Sequence, residues 1–160
     1  MGTRRADFER DLKDFVSTFR EGVSTSDGEW TIKGFIDVFK NVYTISGDTK
    51  IVSKILEIHL FPLLLKFADD KGYSLVLADH QNYYPDMTFI ARDDESRKFA
   101  VDLKTTYRLP NNPENCNGFT LGSHGQYFID RTSRKNIQFP YSEYDGHFCL
   151  GIVYDRAAKG

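Results

Sequence analysis

YYPDMTFIARDDESRKFAVDLKTTY, from Tyr83 to Tyr107, is the stretch that decides how this chain reads. Two runs of β-forming residues, Asp86–Ala91 and Lys98–Thr106, flank the charged segment RDDESR. Runs of that length around a short polar break describe an antiparallel hairpin. The second run holds Phe99, Val101 and Leu103, yet Asp102 and Lys104 sit among them. A strand built only for burial would not carry those charges. Because strand side chains alternate faces, Asp102 and Lys104 project together, about 7 Å apart. A turn near Glu95 sets Asp86 opposite Lys104 and diagonal to Asp102, so all three reach one point.

Two carboxylates aimed at one point repel unless a proton or a cation sits between them. Oxygen ligands with no histidine or cysteine beside them suit Mg²⁺, which keeps several waters and accepts substrate phosphate oxygens. Lys104 next to such a site can orient a water or offset charge on a pentavalent phosphorus, which is the chemistry of metal-assisted phosphodiester hydrolysis. Two plainer readings stand beside this one. The charges could be ordinary solvated residues on a half-exposed strand. Asp86 and Asp102 could also form a metal-free acid–base pair, as in glycosidases, which leaves Lys104 without a role.

Outside the hairpin, the chain reads as one mixed α/β domain of 160 residues, with 40% hydrophobic and 14% aromatic residues to fill a core. Phe8, Leu12, Phe15, Val16 and Phe19 recur at helical spacing over Ala6–Glu21. Asp27-Gly28 marks a short hairpin. Phe35–Thr44 fits helix or strand equally. Ser46 or Asp48 offers an N-cap to a long helix through Ile51, Val52, Ile55, Leu56 and Ile58, bent at Pro62 and ending near Gly72. Ser74–Leu77 reads as a strand, LPNNPENCNG as a loop and FTLG as a further strand. Ser123–Asn136 reads as a helix with Tyr127 and Phe128 inward. The apolar run FCLGIVY, Phe148–Tyr154, reads as a buried central strand.

Several function classes find no support. The longest apolar run, Leu60–Leu65, is interrupted by Pro62 and falls far short of the roughly 20 residues that span a bilayer. Met1–Arg5 lack an apolar secretory core. Cys116 and Cys149 stand apart, which suits free thiols in a reducing compartment and a cytoplasmic protein. No G-x-x-x-x-G-K-[ST] or G-x-G-x-x-G run occurs, so no nucleotide cofactor is expected. His59, His80, His124 and His147 show no ligand spacing and read as surface or structural residues, and Ser123-His124 lacks a nucleophile elbow. Glu57 lies one turn from Lys54 on a polar helix arc, the ordinary setting of a solvated glutamate. The net charge of -2 neither supports nor excludes a nucleic-acid partner, because the placement of cations matters more than their sum.

SGDTK, HQNYYPD, DLKTTY, FTLG and KNI occur in this order and spacing. As a set they resemble the type II restriction endonucleases of the EcoRV kind, within the PD-(D/E)xK nuclease superfamily, over Ser46–Arg156. The resemblance implies a restriction-endonuclease-like α/β (α+β) fold, a central mixed β-sheet flanked by helices. It implies a homodimer that hydrolyses phosphodiester bonds in double-stranded DNA with Mg²⁺, for which Mn²⁺ substitutes. Asp86 and Asp102 then match the metal-binding aspartates and Lys104 the catalytic lysine. Glu57 matches a further helix-borne acidic residue of the site. Gln81 and Asn82 match a loop that approaches the DNA minor groove, and Thr105 and Thr106 a pair that contacts the backbone. Residues 1–45 would serve dimerisation and residues 46–160 form the nuclease core. Enzymes of this kind continue past the strand matching Phe148–Tyr154 into a base-reading segment, whereas this chain stops at Gly160. A fragment or natural short form with weak, sequence-tolerant DNA binding is therefore expected.

Overall fold

The computed structural model describes residues 4–45, 49–120 and 125–156. Helix α1 (Arg4–Val23) turns its Phe8, Leu12 and Phe19 stripe inward. It is followed by the tight Asp27-Gly28 reversal, closed by a bridge between Ser24 and Trp30. Gly28 sits there at φ 83, a conformation that costs glycine nothing. The ambiguous Phe35–Thr44 segment is a hairpin of β1 (Gly34–Ile36) and β2 (Val42–Thr44). Its turn is held by the Asp37 carboxylate, which accepts the N–H groups of Phe39 and Asn41. That local bonding competes with helix formation and decides between the two.

Helix α2 (Thr49–Asp70) continues through Pro62 and stops before Gly72, whose φ of 78 closes it. The expected caps Ser46 and Asp48 lie outside the described residues. Strands β3 (Tyr73–Leu77), β4 (Met87–Ala91) and β5 (Lys98–Leu109) form an antiparallel meander. Strand β7 (Gly146–Tyr154) lies parallel to β5 on the edge away from β4. The sheet is thus mixed and centred on β5.

Odd residues of β5 face the helices. Phe99 and Val101, fully buried, join Met87, Phe89, Phe8, Leu60, Leu64 and Phe67 in the main core. Phe8 is its hub, stacked on Phe99 at 4.3 Å and edge-on to Tyr73 at 5.2 Å. Even residues face a second, aromatic core, where Ala100 meets Tyr84, Tyr127, Ile137 and Tyr144.

Four expectations are corrected. The LPNNPENCNG segment is not all loop, because only Pro110 and Asn111 turn and β6 (Asn112–Cys116) pairs back on Arg108 and Leu109. All of β6 is exposed, so Pro113 and the asparagines need no apolar partner there. Helix α3 spans only Gln126–Ile129, since the Asp130 side chain takes the Thr132 N–H and hydroxyl and turns the chain away. Tyr127 is buried as expected, but Phe128 lies at the rim of the aromatic core. Phe119 and Thr120 lie outside any strand, and the rest of FTLG, with Ser123 and His124, lies outside the described residues. Finally, β7 is an edge strand among the described residues: Leu150 and Tyr154 point inward while Cys149, Gly151 and Val153 are exposed. No described helix is long and apolar enough to cross a membrane.

Candidate active site

The candidate site forms where β4 begins. Strand β4 starts at Met87, paired with Val101, so β5 runs on past Val101 with no ladder partner from β4. The unclaimed N–H of Leu103 goes instead to the Asp86 carboxylate, at 2.7 Å to Oδ2. In return the Asp86 backbone N–H donates to Asp102 Oδ1 at 3.3 Å. This register places Asp86 in line with Asp102 rather than with Lys104, a correction of two residues to the expected pairing. A two-residue slip keeps every side chain on its face, so the three residues still converge. Lys104 Nζ forms an ion pair with Asp102 Oδ2.

Asp102 is 5% exposed, which is rare for an aspartate and explicable only by its partners. Its Oδ1 has the Asp86 N–H. Its Oδ2 is buried and, beyond the ion pair with Lys104, accepts no well-aligned hydrogen bond. Burial, and then the negative charge of Asp102, raises the Asp86 carboxyl to about 6, against the pull of the Leu103 N–H and of Lys104. Partial desolvation of the thiol and the same Asp102 charge push Cys149 up, although the residue as a whole is exposed; it lies opposite Asp102 on β7. One ammonium thus faces two close carboxylates, an imbalance that a cation would correct. A close pair of hard carboxylate oxygens suits a divalent cation such as Mg²⁺ or Mn²⁺.

Glu57 sits differently. It lines, with Gln81, Asp86, Leu103 and Thr105, a cleft of about 930 Å³ between α2 and the sheet. Its own carboxylate is 2.5 Å from Lys54 Nζ. Among the described residues, no three His, Cys, Asp or Glu side chains gather closely enough to hold a metal. Asp86 and Asp102 are thus the close carboxylate pair of this site, and Glu57 lines the same cleft as Asp86. Lys104 opens on the opposite face of β5, into a shallow groove with Phe119 and Thr120. Gln81 and Asn82 are exposed in the turn before Tyr83. Thr105 looks into the cleft, whereas Thr106 is buried and donates its hydroxyl to the Asn117 carbonyl.

Residue-by-residue reading passed over one contributor. The Leu103 N–H is a backbone group with no mark in the sequence, although a strand end beside a Pro-Asp start could have pointed to it. His147, taken as surface or structural, is packed among Tyr84, Tyr141 and Tyr144 on the aromatic side of the sheet. His59 also has a structural partner, the Gly22 carbonyl at 2.6 Å from Nε2.

Comparison with known proteins places the sequence in a family. A family model described as restriction endonuclease EcoRV matches residues 26–160. The type II restriction enzyme EcoRV of Escherichia coli is 35% identical over 130 residues, covering 81% of this chain and 51% of that enzyme. The chain spans about half the length of this curated relative. With most of its length matched by that model, and with the aspartate pair and lysine on one hairpin, the chain belongs to the EcoRV restriction endonuclease family.

Proposed function

We propose that the chain is a divalent-metal-dependent, cytoplasmic type II endonuclease that hydrolyses phosphodiester bonds of double-stranded DNA as a homodimer. The single observation that carries this reading is the Asp86–Asp102 pair with Lys104 against it. Asp86 and Asp102 hold the cation, with Glu57 available from the cleft. When bound, Mg²⁺ or Mn²⁺ supplies a water acidic enough to attack at neutral pH and charge to neutralise the phosphate. Lys104 orients the nucleophile or meets the charge that grows on the phosphoryl oxygens. On this reading Gln81, Asn82 and Thr105 contact the DNA, Gln81 and Thr105 from the lining of the cleft. Thr106, tied to Asn117, supports the segment leading to Phe119.

The β1–β2 hairpin supports the second copy. Phe35, Ile36, Val38, Phe39 and Val42 are all more than half exposed on it, an apolar patch that a partner subunit would cover. The experiment is incubation of plasmid DNA with the chain and Mg²⁺, followed by mapping of the cut ends. Defined ends that disappear in EDTA are expected. Intact plasmid in both Mg²⁺ and Mn²⁺, with a folded dimer in the tube, would overturn the proposal.

A further inference from the structure

The carboxylate pair depends on where the Asp86 backbone lies, because its N–H holds Asp102 and its side chain holds the β5 edge. On one side the sheet holds that backbone, the Asp86 carbonyl accepting the Ala78 N–H at 3.3 Å and Met87 pairing with Val101; on the other side it is held by Tyr84 and Pro85. Pro85 is fully buried. Tyr84 is anchored by its main chain, donating N–H to Asn136 and giving its carbonyl to the Gln138 N–H at 3.0 and 2.8 Å. One face of its ring stacks on Tyr127 at 5.2 Å. Among the described residues, the tip of the ring makes one polar contact, between Tyr84 Oη and His147 Nδ1 at 3.0 Å.

His147 is itself clamped. Its ring lies 3.8 Å from that of Tyr141, with the planes 11° apart, and Tyr144 packs at 5.1 Å. Its strand position pairs it with Ala100 of β5, two residues before Asp102. Nε2 is buried with no well-aligned hydrogen-bond partner. Burial holds the imidazole to about 4, so it is neutral at physiological pH. A neutral imidazole beside a phenol that keeps its proton makes one hydrogen bond between them.

We propose that His147 is a positioning residue for the Asp86–Asp102 pair. It fixes the Tyr84 ring, and the Tyr84–Pro85–Asp86 backbone carries that constraint to the carboxylates. The inference rests on the reading that the pair binds a divalent cation. Groups that orient metal ligands from outside typically contribute 10–100-fold in metal affinity.

The test is calorimetric titration of the whole chain with Mn²⁺ alone, without DNA. It compares wild type, Tyr84→Phe, His147→Phe, the double variant and Asp86→Asn, each with a thermal melt. Tyr84→Phe removes the hydroxyl and with it the hydrogen bond, while His147→Phe keeps an aromatic ring but also changes its size and polarity. Each single variant should bind Mn²⁺ about tenfold more weakly. The double variant should be no weaker than either single one, because all three lack the same bond. A merely structural bond would lower the melting temperature and leave affinity untouched. Affinity within twofold of wild type in a folded Tyr84→Phe, or losses that multiply in the double variant, overturns the inference. If His147→Phe does not fold, Tyr84→Phe decides alone. Should Asp86→Asn abolish binding while Tyr84→Phe leaves it intact, only the positioning role fails. Should wild type bind no Mn²⁺, or Asp86→Asn bind as tightly as wild type, the metal reading falls and this inference with it.

Discussion

Replacing Asp86 by asparagine should make the metal-free protein more stable, the opposite of what most substitutions at a partly buried polar site do. The fold holds the Asp86 carboxyl at about 6 against an ordinary 3.8, through burial and then the charge of Asp102. At 1.36 kcal/mol per pH unit, that gap amounts to at most about 3 kcal/mol of destabilisation once the group ionises. Partial exposure and relaxation reduce it, leaving about 1–2 kcal/mol. Asparagine keeps a carbonyl oxygen for the Leu103 N–H, so little else is lost. For a chain of this size the gain corresponds to a rise in melting temperature of about 3–6 °C. The sign follows from the proton. Between about pH 4 and 6 the folded carboxyl holds a proton that the unfolded one releases, so wild-type stability falls as pH rises through that window. The variant has no such slope. Its advantage should therefore be complete by pH 7–8 in EDTA and shrink as pH approaches 5, measured by thermal melts or urea titration. If the cation reading holds, saturating Mn²⁺ should reverse the order. A variant equal to or less stable than wild type in EDTA at pH 8 would refute the reasoning.

Three further outcomes are expected. Lys104→Ala should lower plasmid cleavage at least about 10²-fold while DNA binding in gel-shift titrations stays nearly intact; cleavage within about tenfold of wild type would remove the role given to Lys104. Phe8→Ala, which empties the hub of the aromatic core, should cost about 3–5 kcal/mol by urea denaturation, and a loss below about 1 kcal/mol would mean that the ring is not the core's centre. His147 stays neutral in the fold down to about 4 but charges near 6.5 when unfolded, so wild-type stability should fall between pH 6.5 and pH 4 in a way that His147→Phe does not share.

The hairpin and its charges were legible because a period of two assigns faces whatever the pairing. The pairing itself was not. The turn centres on Asp94, which takes the Ser96 side chain and N–H and the Arg97 N–H, and it brings Arg97 back to Ala91. RDDESR offers two aspartates, Asp93 and Asp94, that could each form such a turn, and nothing local chooses between them. Strand β7 misled because an unbroken apolar run looks the same whether covered on two sides or one, and only tertiary placement showed its edge. Helix α3 was overdrawn because one aspartate, Asp130, outweighed the aromatic pattern around it. The Tyr84–His147 contact joins two residues that have no shared local signal. Only the fold brings them together.

Phe8 also ties distant parts of the sequence together in time. Its ring touches Phe67, Tyr73, Phe89 and Phe99, and then Phe148 on β7, so the cage around it is assembled from nearly the whole sequence. Closing contacts between such distant residues requires the intervening chain to be ordered first, which slows folding. During synthesis α1 emerges early with Phe8, Phe15 and Phe19 uncovered, and Phe8 finds its last neighbour only when β7 arrives. Until then the nascent chain carries a greasy helix with nothing to sit against.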